Sequence, residues 1–493
     1  MKDLEVIYYD LLEVPADIKS IINIDRFGKL RYRKTTLLKY TSEIFKENKI
    51  IHFHKLNEKS QIQALIDHVN YSSSKDFLLI SSNFTIINKE SFAIFLKKIK
   101  YIDSSLSIAT DARLRPLLKI NKQELVDFLN LAQSNEGDLY ELINERFKNI
   151  EKFTQETFFL EIKDYVDFVL YLQSNFELRY FNSINSTKHI ITKRSGQKEK
   201  MFKEYSFYEL LNDEMKLFFL RPFNFEESEE YAQYSLERLN ILDVSLQWIH
   251  FSLTINQFKK LSERLFYFLS IRKKKQESIE IIKKVAENLY IKKVEDRIKE
   301  LQNLKPFASI EEIIKNSTDY NSIQGIIDHY KILFYKLIDF KKYPTYISLS
   351  HGDLCFSNML YDKRIDFIKL IDPKGFIKEE DGYMDVHYDI AKLSHSILGN
   401  YDFINNGLFE LVYDNNLKVS LEISSLNEMQ ECKMHFKKIL DNEGFSYPVV
   451  RLFEASLFLS MLPLHIDYPK KVVAYLLTGI NILEEIEKNY IKK

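Results

Sequence analysis

The stretch that decides the fold is "SHGDLCFSNMLYDKRIDFIKLIDPKG", residues 350–375, in which polar side chains flank short apolar runs. The run "YISLS" ends just before His351, and the run "DFIKLI" leads into Asp372. Runs of this length and composition predict strands. Asp353, Asn358 and Asp372 therefore fall at strand ends, where short buried strands could aim their oxygen atoms at a common point.

The spacing of these residues suits phosphoryl transfer. Asp353 and Asn358 are spaced as D-x-x-x-x-N, and the apolar hairpin pattern "MLYDKRIDFIKL" follows before Asp372. Transfer from ATP needs metal ions on the phosphates, a carboxylate that orients the acceptor hydroxyl, and a cation on the phosphates. In protein kinases a loop of this spacing supplies the base and one metal ligand, and a later Asp supplies another. The hairpin predicts that Asp372 returns beside Asn358, so that both bind one Mg²⁺ through oxygen.

This segment resembles the catalytic segment of the aminoglycoside phosphotransferase and choline kinase group, which has a protein-kinase-like fold. The resemblance implies that Asp353 is the catalytic residue that takes or orients the acceptor proton. It also implies that His351 belongs to the catalytic loop, where bracing the loop is favoured over direct proton transfer. Asn358 and Asp372 become the metal ligands. Pro373 departs from the Phe that protein kinases place after the second metal ligand.

The same resemblance, which covers about residues 175–480, implies further parts upstream. Lys193 ends the β-branched run in "HIITKRS", and Glu204 lies in the helical pattern that follows. They correspond to the ATP-phosphate lysine and its glutamate partner. A hairpin turn around "NSINSTK" takes the place of a glycine-rich loop. The strand "YSLERLN" corresponds to the hinge that binds adenine through backbone groups near Glu237 and Leu239.

Downstream, "DVHYDIAKLSHS" resembles the helix after the metal site in this family. Asp389 is expected to be structural there, with anchoring of the catalytic loop as an alternative. The segment "SMLPLHIDYP" falls in the helical subdomain that forms the acceptor pocket in relatives, and it makes His465 and Asp467 candidate substrate contacts.

The pattern predicts three parts: an α/β domain with a parallel sheet over 1–155, a small antiparallel-sheet lobe over 160–245, and a helical lobe over 246–493 that carries the catalytic loop at 351–375. The run "SIEIIKKVAENLYIKKVEDRIKELQNL" predicts one long amphipathic helix.

The first domain is similar in layout to sugar-nucleotide pyrophosphorylases, with a first strand and a basic loop before a helix. Two departures indicate a degenerate or recognition domain. The later strand ends in Ser81, Ser82 and Asn83 where those enzymes have an acidic metal ligand. Arg26, Gly28 and Lys29 replace a glycine-rich nucleotide loop. The pair His52 and His54 lacks a third metal ligand in sequence, which favours an ordinary half-exposed strand.

Composition excludes several classes of function. The formal net charge is −1, from 70 basic and 71 acidic residues, so there is no overall field for nucleic acid or an anionic membrane. The dinucleotide and Walker phosphate loops are absent, and only 11 glycines occur. Two cysteines, Cys355 and Cys432, could form a single bridge, but reduced thiols are favoured. With neither an apolar span nor a signal peptide, we expect a cytoplasmic protein without membrane insertion.

The sequence therefore predicts an ATP- and Mg²⁺-dependent kinase for a hydroxyl of a small metabolite. A sugar, polyol or amino alcohol used for surface (capsular) polysaccharide is favoured over an aminoglycoside, because no cluster of acidic residues is evident. Two alternatives stay open. One is a pseudokinase or scaffold that binds nucleotide without turnover, and the other is a nucleotidyltransferase that a kinase-like domain regulates. The acceptor and a homo-oligomeric state are not determined.

Overall fold

The computed structural model divides the chain into two compact units, Met1–Glu177 and Leu178–Lys493. It describes residues 4–32, 35–50, 52–102, 104–108, 117–134, 142, 145–147, 150–153, 159–174, 182–186, 189–423 and 427–491. Within these residues, no helix combines the length and the apolar character needed to cross a membrane.

The first unit is built on a six-stranded sheet of order β4-β1-β5-β8-β7-β9. Its central strand, "LEVIYY", is buried along its whole length, as expected for a strand covered on both faces. The strands of this unit are β1 Leu4–Tyr9, β2 Arg31–Tyr32, β3 Thr35–Thr36, β4 Phe53–Leu56, β5 Asp76–Ser81, β6 Phe84–Ile86, β7 Leu106–Ile108, β8 Leu117–Asn121, β9 Glu151–Phe153 and β10 Phe159–Glu161.

The helices of the first unit include amphipathic segments whose apolar faces are buried. Side-chain caps begin two of them, since Thr36 accepts a hydrogen bond from the Lys39 amide and Asn88 accepts one from the Ser91 amide. The helices are α1 Ala16–Lys19, α2 Leu37–Glu47, α3 Ile62–Tyr71, α4 Lys89–Ile99, α5 Lys122–Ser134 and α6 Tyr165–Ser174.

The predicted α/β fold is confirmed, but the sheet is mixed rather than parallel. Strands β4, β1 and β5 are parallel, whereas β8 runs antiparallel to both β5 and β7. Eight residues separate β7 from β8 in sequence. Such a connection is too short for a crossover helix, which needs a dozen or more residues, so the two neighbouring strands must run in opposite directions.

The division between the units lies later in the chain than the predicted boundary at 155–160. Residues 154–158 lie outside the described part of the chain, but β10 follows them and pairs antiparallel with β6. Helix α6 then packs against α1. Residues 160–174 therefore belong to the first unit rather than to the small lobe.

The small lobe of the second unit is an antiparallel sheet of order β11-β12-β14-β13 that carries helix α7. Its elements are β11 Asn182–Ser186, β12 Ile190–Ser195, α7 Lys198–Leu210, α8 Asp213–Lys216, β13 Phe223–Glu227 and β14 Ala232–Glu237. The predicted hairpin is present as β11 and β12, while its turn residues 187–188 lie outside the described residues. Strand β13 pairs antiparallel with β14 from Phe223 onward, with an irregularity between Phe223 and Glu226.

The large lobe is mostly helical, as predicted. Its helices are α9 Val244–Ile249, α10 Ile255–Ile271, α11 Ile279–Glu287, α12 Lys293–Gln302, α13 Phe307–Ser317, α14 Ile323–Leu337, α15 Tyr388–Ile397, α16 Tyr401–Asn405, α17 Asn427–Asn442, α18 Tyr447–Ser460 and α19 Pro469–Ile486. Its strands are β15 Lys274–Gln276, β16 Tyr346–Leu349, β17 Met359–Asp362, β18 Phe367–Leu370, β19 Tyr383–Met384, β20 Glu410–Tyr413 and β21 Val419–Glu422.

The long helix predicted over "SIEIIKKVAENLYIKKVEDRIKELQNL" contains a π-helical segment, Asn288–Lys292, between α11 and α12. This segment carries Tyr290, whose ring stacks on Phe453 with centroids 3.7 Å apart. The Tyr290 hydroxyl donates to Asp385 Oδ1 at 3.0 Å. The local change of helical pitch thus accompanies a specific buried contact in the core of the lobe.

Two glycines fix the path of the catalytic segment. Gly352 and Gly375 have φ angles of +79° and +74°, a region that residues with a Cβ rarely adopt. A Cβ on Gly375 would lie 2.5 Å from the carbonyl carbon of Lys203. The chain after Asp372 therefore passes directly against the backbone of α7, and this contact joins the two lobes.

We expect Gly375→Ala to destabilise the second unit more than Gly444→Ala. Gly444 has a φ of +78°, but a Cβ there would meet no atom within 4 Å. Gly444→Ala should cost about 1–2 kcal/mol for its backbone conformation, and Gly375→Ala about 1–3 kcal/mol more for overpacking. Urea unfolding followed by the fluorescence of Trp248, the single tryptophan, measures this difference. Equal costs for the two variants would contradict the close packing.

Candidate active site

The small lobe holds a buried lysine beside a buried glutamate. Lys193 lies on β12, and Glu204 lies on the following helix α7. The Lys193 ammonium donates to Glu204 Oε2 at 3.2 Å. The Tyr234 hydroxyl, on the neighbouring strand, donates to the same oxygen at 2.8 Å. Glu204 therefore has a fixed orientation, which in turn fixes the position of the ammonium group.

Asp372 also contacts the Lys193 ammonium through Oδ1, although the two residues are far apart in sequence. Burial alone lowers the pKa of Lys193, but the charges of Asp372, Tyr234 and Glu204 raise it well above its ordinary value. Lys193 is therefore a permanent cation between two carboxylates. One of them, on Asp372, is 45% exposed and accessible to a ligand.

The β17–β18 hairpin places Asp372 next to Asn358, as the sequence predicts. Met359 pairs with Leu370, and the amide of Ile371 donates to the carbonyl of Asn358 at 2.9 Å. Asp372 itself has a φ of +55°, so the chain turns sharply at this residue. The turn directs the next residues towards Gly375 and helix α7.

Asn358 and Asp353 are linked inside the catalytic loop. Asn358 Nδ2 donates to the Asp353 carbonyl at 2.8 Å and to Asp353 Oδ2 at 3.0 Å. Because both of these bonds use the amide nitrogen, the amide oxygen of Asn358 stays free of them. That oxygen and the carboxylate of Asp372 form the hard oxygen donor set that Mg²⁺ prefers. The residues present therefore fit a magnesium ion.

Asp353 forms an ion pair that the sequence did not reveal. Lys392 Nζ lies 2.9 Å from Asp353 Oδ1. Burial alone raises the pKa of Asp353, but Lys392, His351 and the hydrogen bond from Asn358 together lower it to about 2. The carboxylate is therefore ionised at any physiological pH and is able to accept a hydrogen bond from a hydroxyl group.

His351 braces the loop. Its Nδ1 accepts a hydrogen bond from the Asp353 amide at 3.2 Å, and its Nε2 donates to the Ile371 carbonyl at 3.0 Å. Burial lowers its pKa, which favours the neutral ring. Both ring nitrogens thus bond to backbone groups on either side of the site. The choice between bracing and proton transfer for His351 stays a prediction.

A buried ion pair anchors the start of the loop. Asp389 accepts hydrogen bonds from the amides of His351 at 3.0 Å and Gly352 at 2.9 Å. Its carboxylate also pairs with Arg272 Nη1 at 3.0 Å, and both side chains are almost completely buried. Asp389 therefore anchors the catalytic loop, which is the alternative that the sequence left open for it.

The predicted adenine hinge follows β14. Glu237 ends this strand and is exposed, and Leu239 is half-buried. The amide of Arg238, between them, donates to the His189 carbonyl at 2.8 Å. A cavity lies between the two lobes of the second unit, and Glu204 and Asp372 are among the residues that line it. The rest of its lining is mostly apolar and includes Phe207, Phe219, Leu220, Tyr234, Leu236 and Leu370. Glu237 and Leu239 do not line this cavity.

The predicted acceptor residues lie beyond Asp353 in the helical lobe. The ring of His465 lies edge-to-face with Tyr475 at 5.2 Å, and Asp467 is exposed. Sequence reasoning missed His395, a buried residue stacked on Tyr401 with centroids 4.2 Å apart. Burial lowers the pKa of His395 well below its ordinary value, and the nearby Lys392 lowers it further.

One signal in the sequence could have revealed the missed residues. Asp389, Lys392 and His395 follow each other at intervals of three in "DIAKLSH" and share one face of α15. Once the loop anchor was assigned to Asp389, the same face could have been expected to contribute Lys392 and His395 to the site.

In the first unit, the loop that was expected to replace a nucleotide loop folds onto Asp10. The Gly28 amide donates to Asp10 Oδ1 at 3.1 Å, and Arg26 Nη1 donates to the Asp10 carbonyl at 2.7 Å. A Cβ on Gly28 would lie 2.2 Å from Asp10 Oδ2. Lys29 instead pairs with Asp25 at 2.8 Å. This loop is thus closed over the end of β1 by its own contacts.

Comparisons with known proteins add structural neighbours. A crystal structure of a thermostable mutant of aminoglycoside phosphotransferase APH(4)-Ia matches with a TM-score of 0.39 and 10% identity, over 63% of this chain and 93% of that one. Ethanolamine kinase from Plasmodium vivax matches with a TM-score of 0.35 and 14% identity, over 71% and 94%. A Bacillus anthracis protein described as a glucose-1-phosphate thymidylyltransferase covers the N-terminal region, with a TM-score of 0.27 and 7% identity, over 38% and 98%.

No protein-family model matches the chain, and no curated protein matches it. The structural neighbours have the two fold types that the sequence predicted, a kinase-like fold and a nucleotidyltransferase-like fold. At these identities and TM-scores the neighbours carry no argument about this chain. The functional argument rests on the contacts of Lys193, Asp353 and Asp372.

We expect Asp389→Asn to destabilise the second unit strongly. The carboxamide leaves the buried Arg272 cation unpaired, and its amino group faces backbone amides that also donate. Removal of one partner of a buried pair costs about 3–5 kcal/mol. Glu300→Gln is the matched control, because the Arg297–Glu300 pair is partly exposed at 2.6 Å and should contribute at most about 0.5 kcal/mol. Urea unfolding monitored through Trp248 compares them, and a similar small cost for both would contradict the anchoring role.

Proposed function

We propose that the chain is an ATP- and Mg²⁺-dependent phosphotransferase that acts on a hydroxyl group of a small metabolite. One observation carries the proposal: the Lys193 ammonium contacts both Glu204 and Asp372, so a fixed cation from the small lobe meets a carboxylate at the edge of the catalytic loop. This arrangement suits a nucleotide whose phosphates lie between the lobes.

Each residue has a distinct role in this proposal. Lys193 binds the ATP phosphates, and Glu204 holds its ammonium in place. Asn358 and Asp372 hold Mg²⁺, which neutralises charge on the phosphates. Asp353 accepts the hydrogen bond of the acceptor hydroxyl and takes its proton as the oxygen–phosphorus bond forms and the bond to ADP breaks. The backbone groups after β14, near Glu237 and Leu239, bind adenine.

The acceptor is proposed to lie on the side of Asp353 that faces α15 and the segment before α19. There the neutral ring of His395 can accept or donate a hydrogen bond, and His465 and Asp467 are the contacts proposed from the sequence. Burial raises the pKa of the neighbouring Asp402 to about 6. A neutral imidazole and carboxyl groups suit an acceptor with several hydrogen-bonding groups, such as a sugar, a polyol or an amino alcohol. The proposed context is the supply, in the cytoplasm, of precursors for surface polysaccharide.

Two rivals are less well supported. A pseudokinase or scaffold usually lacks one of the catalytic groups, whereas Asp353, Asn358 and Asp372 are all present and held by specific contacts. An active nucleotidyltransferase needs acidic metal ligands in the first unit. In this unit β5 ends at Ser81, and the next two residues are Ser82 and Asn83, neither of which is acidic. The side chain of Asn83 donates to the Ile162 carbonyl at 3.2 Å. A recognition role for this unit is therefore preferred.

We expect Asp353→Asn to abolish acceptor-dependent release of ADP from Mg-ATP, because the amide cannot accept the proton. Loss of a positioned base lowers the rate by about 10²–10⁴-fold. A panel of sugars, polyols, amino alcohols and nucleosides supplies the acceptors. Asp328→Asn is the control, because Asp328 is an exposed carboxylate on α14.

Acceptor-dependent ADP release that falls in Asp353→Asn and persists in Asp328→Asn would support the proposal and identify the substrate class. Release of pyrophosphate with a nucleotide-linked product would instead indicate the nucleotidyltransferase. Slow ADP release that is equal for every acceptor and unaffected by Asp353→Asn would contradict the assignment of Asp353.

The ion pair with Lys392 predicts the pH dependence of the rate. Because the pKa of Asp353 is about 2, kcat/KM should show no acidic limb from this group above pH of roughly 4. Lys392→Met removes the largest favourable charge on the carboxylate, so the pKa of Asp353 should rise and the acidic limb should move to higher pH.

The exposed Lys342→Met variant is the control for this profile, and its acidic limb should match that of the wild type. The position of the limb does not depend on the absolute rate, so a merely slower Lys392→Met enzyme still gives a clear result. An unchanged profile in Lys392→Met would show that Lys392 does not control the charge of Asp353.

A further inference from the structure

The first unit contains a cluster of two histidines and a glutamate that the proposed kinase chemistry does not use. Glu5 Oε2 lies 2.9 Å from His54 Nε2 and 2.8 Å from His68 Nε2. One ligand atom from each of the three residues can be chosen so that all lie within 4.8 Å of one another. The imidazole rings of the two histidines are 4.2 Å apart between centroids.

Three separate elements bring these side chains together. Glu5 is the second residue of β1, His54 is the second residue of the parallel neighbour β4, and His68 lies near the end of α3. The cluster thus lies near the amino ends of the strands. Arg26 and Gly28 contact Asp10, at the opposite end of β1. His52 and His54 are close together in the sequence, but a third ligand was not evident there, because Glu5 and His68 are both distant from this pair in the chain.

The glutamate is held by a further contact of the kind that orients metal ligands. The Ser72 hydroxyl donates to Glu5 Oε1, the oxygen that does not face the histidines. The Ser74 amide in turn donates to Ser72 Oγ at 3.0 Å. Partners of this type fix the orientation of ligating carboxylates in metal sites. The Glu5 side chain is 5% exposed, whereas those of His54 and His68 are 26% and 40% exposed.

We propose that Glu5, His54 and His68 bind a zinc ion. Two imidazole nitrogens and one carboxylate oxygen form a common three-residue zinc ligand set. Ligands about 2.1 Å from a tetrahedral zinc ion are about 3.4 Å apart from one another. The present Glu5–histidine distances are about half an ångström shorter, so small side-chain movements would admit the ion.

The bond changes in this binding are simple. In the metal-free cluster each histidine donates its Nε2 proton to the same Glu5 oxygen. On zinc binding, a neutral ring moves its proton to Nδ1, whereas a protonated ring releases its Nε2 proton to solvent, and in both cases the freed Nε2 lone pair binds the metal. The exposed faces of His54 and His68 leave access for the ion and for a fourth ligand. His52, which is exposed and directly precedes β4, or a water molecule could supply that ligand.

Zinc bound here would link β1, β4 and α3. Its effect should therefore be on the stability of the first unit, since every residue of the candidate active site belongs to the second unit. A ligand that binds only the folded state raises the unfolding temperature as its concentration exceeds its dissociation constant.

The test uses the full chain with any affinity tag removed, first stripped with a chelator and then given zinc. We expect one zinc ion per chain to remain after gel filtration, measured by elemental analysis, and the unfolding temperature to rise. Cobalt in place of zinc should give the visible absorption of a tetrahedral site with nitrogen and oxygen ligands.

His68→Gln is the decisive variant, because its amide nitrogen can keep the hydrogen bond to Glu5 but is a poor zinc ligand. It should fold like the metal-free wild type and lose the stoichiometric zinc. Asp67→Asn removes a neighbouring carboxylate on α3 and should keep it. Zinc retained equally by His68→Gln and the wild type, or no zinc retained by the wild type, would overturn the proposal and leave a hydrogen-bonded cluster.

Discussion

The contact of the Lys193 ammonium with two carboxylates is the interaction on which the second unit depends. Glu204 and Tyr234 fix the ammonium within the small lobe, and Asp372 reaches it from the end of the β17–β18 hairpin. Gly375 packs against the backbone of α7 a few residues later. Because α7 carries Glu204, the same helix positions the lysine and receives the segment that follows Asp372. The two lobes therefore meet at a cation, which in the proposed function binds the phosphates of ATP.

The catalytic loop has little freedom of its own. Asp389 holds its first amides, His351 joins its backbone to Ile371, and Asn358 holds Asp353 from within the loop. Lys392 pairs with the Asp353 carboxylate from helix α15. It lowers the pKa of Asp353 together with His351 and the hydrogen bond from Asn358, so the residues that hold the loop also help to keep this carboxylate charged.

The sequence was most informative where the chemistry is local. The spacing of Asp353, Asn358 and Asp372 needs only one hairpin to bring its members together, and the structure contains that hairpin. Partners from distant elements were missed, because Lys392 and the cluster of Glu5, His54 and His68 depend on helix and strand packing that spacing does not specify. The mixed sheet was missed for a similar reason, since alternation of strands and helices does not reveal the direction of β8. The first unit ends later than predicted because β10 pairs back onto β6.

The most direct measurement of the central claim is the affinity for a non-hydrolysable ATP analogue, by calorimetry, with and without Mg²⁺. The wild type should bind it much more tightly with Mg²⁺, and Asp372→Asn and Asn358→Ala should lose most of that enhancement while still binding the metal-free nucleotide. Lys193→Met should weaken binding under both conditions. An enhancement by Mg²⁺ that is the same in the wild type and in both metal-ligand variants would contradict the account, because Asp372 and Asn358 would then not share a metal with the nucleotide that Lys193 binds.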